Sequence, residues 1–261
     1  MHALVNIAIS AVRNASKTIM RSLEHLEGGR IGSAERHEFA THVEQLAIEE
    51  ITNTIHKAYP DHKIRQSSEQ LPENGEPIWI IDAIDGFINY AHAFPHFSTS
   101  IAVKHKNKIE HAVIYDPMRQ DLFAASRGEG AYLNERRIRV SSNKHPEEAL
   151  LGTGFPHQQI QHLKPYIQTF TELFPQVDGV RRSGSSALDL AYIAAGRLDG
   201  FWEFSLKEWN MAAGVLLVKE AGGLVSDFQG EENYLESGNL VAGNPKIFKV
   251  ILQAIQKSLG E

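Results

Sequence analysis

The chain contains no cysteine, which excludes disulfides, thiolate metal ligands and cysteine nucleophiles. It also lacks any apolar run approaching a membrane span, and its start has neither the basic nor the apolar region of a signal peptide. A soluble cytoplasmic protein is therefore expected. Basic charge is scarce: 26 Lys and Arg stand against 32 Asp and Glu, a net charge of −6 in 261 residues. Stand-alone binding to nucleic-acid phosphates calls for a basic patch, so such binding is not expected outside a larger complex. No internal repeat or low-complexity segment occurs. The 13 histidines include none that joins a carboxylate in a zinc-ligand spacing.

What the chain does have is periodicity. Leu4, Ile7, Ala8, Ala11, Ala15, Ile19 and Leu23 recur at helical spacing, which predicts an amphipathic helix near 2–26, ended by Gly28-Gly29. A second helix is predicted near 37–58 on Phe39, Val43, Leu46, Ala47, Ile51 and Ile55, with Pro60 as its stop. Strands follow at 98–104 and 109–115 around a Lys106-Asn107-Lys108 turn, then at 122–125 and 130–133. This first lobe, residues 1–145, is predicted as a helix pair on an antiparallel sheet, and His145-Pro146-Glu147-Glu148 marks a boundary. In 146–261 strands are predicted at 149–153, 177–182, 200–204, 223–227 and 239–242, and helices at 160–173, 185–196, 208–221 and 245–258. Such alternation implies an α/β layer with helices on both faces. The fold class is thus α/β, with an α+β first lobe and an α/β second lobe.

The chemical centre of the sequence is Trp79-Ile80-Ile81-Asp82-Ala83-Ile84-Asp85-Gly86-Phe87-Ile88-Asn89. An apolar, β-prone run leads into two carboxylates and a glycine that permits a tight turn. Paired aspartates at a strand end can face one hard cation; Mg²⁺ takes oxygen ligands and keeps waters. Aspartate is also common in turns, so the spacing alone leaves both possibilities open.

This stretch, followed by His96-Phe97-Ser98-Thr99-Ser100-Ile101-Ala102-Val103, resembles the signature of the inositol monophosphatase family, and within it the bacterial SuhB type. The likeness continues through Tyr115-Asp116-Pro117-Met118, the run Arg181 to Tyr192, Asp199 to Glu203, Glu208 to Gly214, and Glu220-Ala221-Gly222-Gly223. It implies a layered α-β-α-β-α sugar-phosphatase sandwich and a Mg²⁺ site on Asp82, Asp85 and the Ile84 carbonyl. It further implies that Gly86 and the amides after it approach a phosphate, that Gly184, Ser185 and Ser186 form a substrate-contacting turn, and that Glu203 holds a sugar hydroxyl. The family places a metal-binding, water-activating glutamate where this chain has Ser68 without a gap, or Glu69 with a one-residue slip.

The departures fall on the chemistry. Where the family has two threonines after Asp-Gly, the first orienting the attacking water, this chain has Phe87 and Ile88. The family's Trp-Asp is Trp209-Asn210; asparagine offers an oxygen to metal and substrate but not the charge. Glu38 and Glu44 stand where the family has metal-site aspartates, and both are expected to be surface helix charge. Removing a charged ligand forfeits several kcal/mol of attraction for a dication at an effective dielectric of ~20. Losing a group that positions water removes on the order of 10² in rate. The expectation is a family scaffold with a degenerate catalytic centre on Glu69 and Asp85 and weak or absent Mg-dependent phosphomonoesterase activity. The resemblance then implies a Nus-type role in transcription antitermination on ribosomal RNA operons, with RNA polymerase and other Nus proteins as partners, and a homodimer. The alternative is an active Mg-dependent inositol-1-monophosphatase acting on inositol or related sugar phosphates.

Overall fold

The computed structural model describes residues 2–28, 31–66, 75–155 and 159–260. The first two helices form as predicted, α1 over Ala3–Glu27 and α2 over Arg36–Ala58. A seven-stranded sheet follows in spatial order β1 to β7: β1 Lys63–Arg65, β2 Ile78–Asp85, β3 Ser98–His105, β4 Lys108–Asp116, β5 Asp121–Ser126, β6 Gly130–Leu133 and β7 Arg136–Ile138. Short helix α3, Phe87–Ala91, leaves the end of β2. All pairings in this sheet are antiparallel except that of β1 with β2. The hairpin between β3 and β4 turns at Lys106 and Asn107, whose φ values of 49° and 60° are left-handed. Sequence patterning gave no sign of β1, β7 or α3, each being five residues or fewer and too short to show a period.

Residues 146–261 build the second sheet and the remaining helices. Its strands are β8 Leu150–Thr153, β9 Gly179–Arg181, β10 Gly200–Glu203, β11 Leu224–Ser226 and β12 Leu240–Gly243, in the order β11-β12-β10-β8-β9. The helices are α4 Leu163–Leu173, entered through a 3₁₀ turn at Ile160–His162, then α5 Ser186–Ala194, α6 Glu208–Glu220, α7 Tyr234–Ser237 and α8 Pro245–Leu259. Among the described residues no helix is long and apolar enough to cross a membrane.

Alternation along the strands explains the layering. In β2, Trp79 and Ile81 face the core under α1 and α2, while Ile78 and Ile80 face the core built with α5 and α6. All eight residues of β2 are buried, as befits a strand covered on both faces. In the second sheet, Phe201 and Ala242 join the α5–α6 core, and Trp202 and Val241 join a third core with Tyr166 of α4 and Ile251 of α8. The result is five layers, with α5 and α6 filling the space between two sheets. Gly214 makes this close approach possible, since a Cβ there would stand 2.5 Å from Leu190 Cβ.

Candidate active site

The strand β2 would turn Asp82 and Asp85 to opposite faces if it alternated regularly. Its register against β3 shifts between them: Asp82 pairs with Ser100 and Asp85 with Ser98. This bulge brings both carboxylates to the same cleft. Thr99 Oγ1 donates to the Ala83 carbonyl over 2.8 Å and fixes the bulged backbone. Gly86 then reverses the chain at φ 90°. A Cβ there would lie 3.0 Å from the His96 carbonyl, so only glycine fits.

Asp85 is gripped from the second half of the chain. Ser185, which caps α5 by accepting from Leu188 N, donates its hydroxyl to Asp85 Oδ2, and Ala187 N donates to the same oxygen over 3.0 Å. Ser186 Oγ donates to Glu203 Oε2 over 2.6 Å. Gly154 makes room for that carboxylate, because a Cβ there would overlap it. Gly184 turns at φ 89° beside Asn89, whose amide donates to the carbonyls of His96 and Ser183 and ties α3 to the turn before α5.

Asn210 sits in the first turn of α6. Its Nδ2 donates to Asp82 Oδ2 over 2.8 Å, and its Oδ1 accepts from Lys207 N over 3.2 Å. The nitrogen, not the oxygen, thus faces Asp82. Glu208 anchors this helix end to the first sheet through Arg65 of β1 at 2.6 Å and Lys104 of β3 at 3.3 Å.

Asp82, Asp85, Ser185, Ser186, Glu203 and Asn210 line a cleft of about 430 Å³ together with Thr41, Glu44, Phe87, Ile88, Arg182 and Trp209. Phe87 lies at the start of α3 with its ring 6.0 Å from that of His37, half in the core under α1 and α2. Glu38 is exposed on α2, as expected. Glu44 is not surface charge: it lines the cleft, burial raises its carboxyl, and its field reaches Asp82. Its position next to Val43 on the flank of the buried face of α2 was the available signal. Asp189, held by Ser183 Oγ at 2.7 Å, is a further cleft carboxylate to which sequence reasoning gave no role. Ser68 and Glu69 lie outside the described residues.

Burial dominates the electrostatics. It raises Asp82 well above the usual carboxylate range, with Asp85 adding to the effect and the Asn210 amide opposing it. It pushes Asp85 up to about 6 against the hydrogen bonds from Ser185 and Ala187. Glu203 is pushed up to about 7, and Asp189 is raised well above the usual range. Buried like charges are costly unless a cation neutralises them. The donor set of Asp82, Asp85 and the Ile84 carbonyl therefore suits a hydrated Mg²⁺. Among the described residues, no group of three or more His, Asp or Glu side chains is placed to hold a metal. The fit is to a dication with few protein ligands.

A five-layer sandwich with a carboxylate cleft between its sheets defines a sugar-phosphatase class of protein. The chain belongs to the inositol monophosphatase family, whose model matches residues 1–260. It is 49% identical over 265 residues to the Nus factor SuhB of Pseudomonas aeruginosa, covering 99% of this chain and 98% of that protein. To the Nus factor SuhB of Escherichia coli K12 it is 44% identical, covering 100% and 98% respectively. The crystal structure of the extragenic suppressor protein suhB from Bartonella henselae superposes with a TM-score of 0.88 at 34% identity, covering 98% of this chain and 99% of that one.

Proposed function

We propose that this chain is a SuhB-like Nus factor on a phosphatase scaffold, acting in transcription antitermination of ribosomal RNA operons in the cytoplasm. Its partners on this reading are RNA polymerase and other Nus proteins, and its Mg-dependent phosphomonoesterase activity is weak or absent. The observation that carries the degenerate-site part is the Asn210 amide nitrogen on Asp82 Oδ2 at 2.8 Å. A hydrogen-bond donor takes the carboxylate lone pair that a cation would otherwise use. The 49% and 44% identities to proteins named Nus factor SuhB support the transcriptional part.

The cleft keeps enough to define what residual chemistry would require. Mg²⁺ held by Asp82, Asp85 and the Ile84 carbonyl would neutralise phosphoryl charge and supply an activated water. Ser185 and Ala187 orient Asp85, and Ser186 orients Glu203 toward a polyol hydroxyl. Phe87 offers no hydroxyl to position a water, and its ring occupies cleft wall. The retained Asp82, Asp85, Ser185 and Glu203 arrangement favours, as the second reading, an active inositol-1-monophosphatase.

Two assays separate the readings. Purified protein is incubated with inositol 1-phosphate and millimolar Mg²⁺, and phosphate release is measured. In parallel, a ribosomal-operon antitermination reporter is scored with the gene deleted and restored. Robust turnover without a reporter effect would establish the enzyme; a reporter defect with negligible turnover is the expected result.

A further inference from the structure

A surface separate from the cleft stands out on the outer side of α1, none of whose residues lines the cleft. We propose that the outer face of α1, with the seam it forms against α2, is a track for the phosphate backbone of a nucleic acid.

Helix α1 buries Val5, Ala8, Val12, Ala15, Ile19 and Leu23 and turns Asn6, Ser10, Arg13, Lys17 and Arg21 outward. The spacing of Arg13, Lys17 and Arg21 places them on one side of the helix, about 6 Å apart along its axis. No acidic residue precedes Glu24 in this helix. None of the three cations joins a salt bridge among the described residues, and Lys17 Nζ meets only the Asn14 amide oxygen at 3.3 Å. The chain carries a net charge of −6, so an unneutralised cationic row is a local departure from the surrounding field.

The row continues into the seam. Asn14 Nδ2 donates to Thr54 Oγ1 over 3.5 Å across it. Beside this contact lies a notch of about 510 Å³ lined by Asn14, Asn53, Thr54 and Lys57. Lys57 is exposed and outside any salt bridge among the described residues. With Lys57 alongside Ile7, the cations extend over roughly 20 Å of helix. Glu24 ends the row, and Glu50, one turn from Thr54, borders it on α2; both are exposed.

The side chains decide which polyanion fits. Phosphate oxygens are bound by Arg, Lys, Ser, Thr and Asn, the residue types of this track. Protein partners are anchored by large apolar or aromatic groups, and none of the exposed large hydrophobics lies on α1. Helix α1 carries no Phe, Tyr or Trp for bases to stack on, so contact is independent of sequence. Four cations give weak binding, steeply dependent on salt, with a log–log slope of about −3 for a single strand. Such a contact adds to an assembly without making the isolated protein a strong nucleic-acid binder.

The test is fluorescence anisotropy of a labelled oligouridylate 20-mer with the full chain between 25 and 200 mM KCl. Binding with the stated slope is expected. An Arg13→Glu, Lys17→Glu, Arg21→Glu triple variant should lose at least tenfold in affinity, while Arg136→Glu with Arg137→Glu on β7 should change it less than twofold. Should the triple variant not fold, the single Gln substitutions, each expected to cost about threefold, decide on the same terms. No binding at 25 mM KCl, unchanged binding by the variants, or equally effective competition by polyglutamate would each overturn the proposal. None of these outcomes bears on the cleft.

Discussion

Asn210 Nδ2 donates to Asp82 Oδ2 over 2.8 Å, joining α6 to the end of β2 across 128 residues of sequence. The same amide accepts from Lys207 N. To offer its oxygen to a cation beside Asp82, Asn210 would have to turn over and give up both bonds. On the proposed reading, the side chain is a latch that satisfies a buried carboxylate without metal.

Replacing Asn210 by Asp sets a second buried carboxylate against Asp82. In the absence of metal this variant should be less stable than wild type by about 1–3 kcal/mol, the cost of an uncompensated buried group. Mg²⁺ at 10 mM should reverse the order, raising the variant's Tm by more than the wild type's. Calorimetric titration should show at least tenfold tighter Mg²⁺ binding; equal affinity would remove the latch from the explanation.

Phe87→Thr restores a hydroxyl at the start of α3 and opens space in the cleft. Because Phe87 is partly packed into the core, the change should cost roughly 1–3 kcal/mol of stability. Neither this change nor Asn210→Asp should restore turnover alone, since a positioned water needs a cation and a cation needs the water. The double variant should exceed the product of the single effects on inositol 1-phosphate by tenfold or more. Multiplicative single effects would contradict a shared site.

Glu203 supplies a pH dependence. Its folded pKa, pushed up to about 7 by burial, lies above its value in the unfolded chain. The folded state therefore keeps a proton that the unfolded state releases, and stability falls as pH rises from about 4.5 through 7, then levels. The fall should be on the order of 2 kcal/mol in urea unfolding between pH 5 and 7.5, and Asp85 contributes with the same sign. Glu203→Gln should flatten this slope. A slope unchanged in the variant would assign the effect to other carboxylates.

A homodimer, as the family resemblance implies, would have a candidate surface. Ile160, Leu163 and Ile167 on and before α4, and Phe174 just after it, are exposed by 77, 49, 50 and 59%. Exposed apolar side chains gathered around one helix are the kind of surface an interface would cover. Ile167→Asp combined with Phe174→Asp should convert a dimer to a monomer in sedimentation equilibrium at tens of micromolar. A wild-type monomer at that concentration would contradict the homodimer.

The sequence by itself determined the long elements and the family. Periodicities of 3.6 in α1 and α2, and the alternation of strands and helices after residue 146, are local properties that burial of one face imposes. The Trp79 to Asn89 stretch named the two carboxylates and the glycine that must follow them. Tertiary structure decided the rest, because each remaining feature joins distant segments. The β2 bulge that turns Asp82 and Asp85 to one side exists in the pairing with β3. The anchor on Asp85 comes from Ser185, 100 residues away. Glu44 entered the cleft because α2 packs beside α3 and β2, which no charge pattern along one helix encodes. The contact of Asn210 Nδ2 with Asp82 is likewise tertiary, since the packing of α6 on the first sheet, held by Glu208 to Arg65 and Lys104, brings the two together.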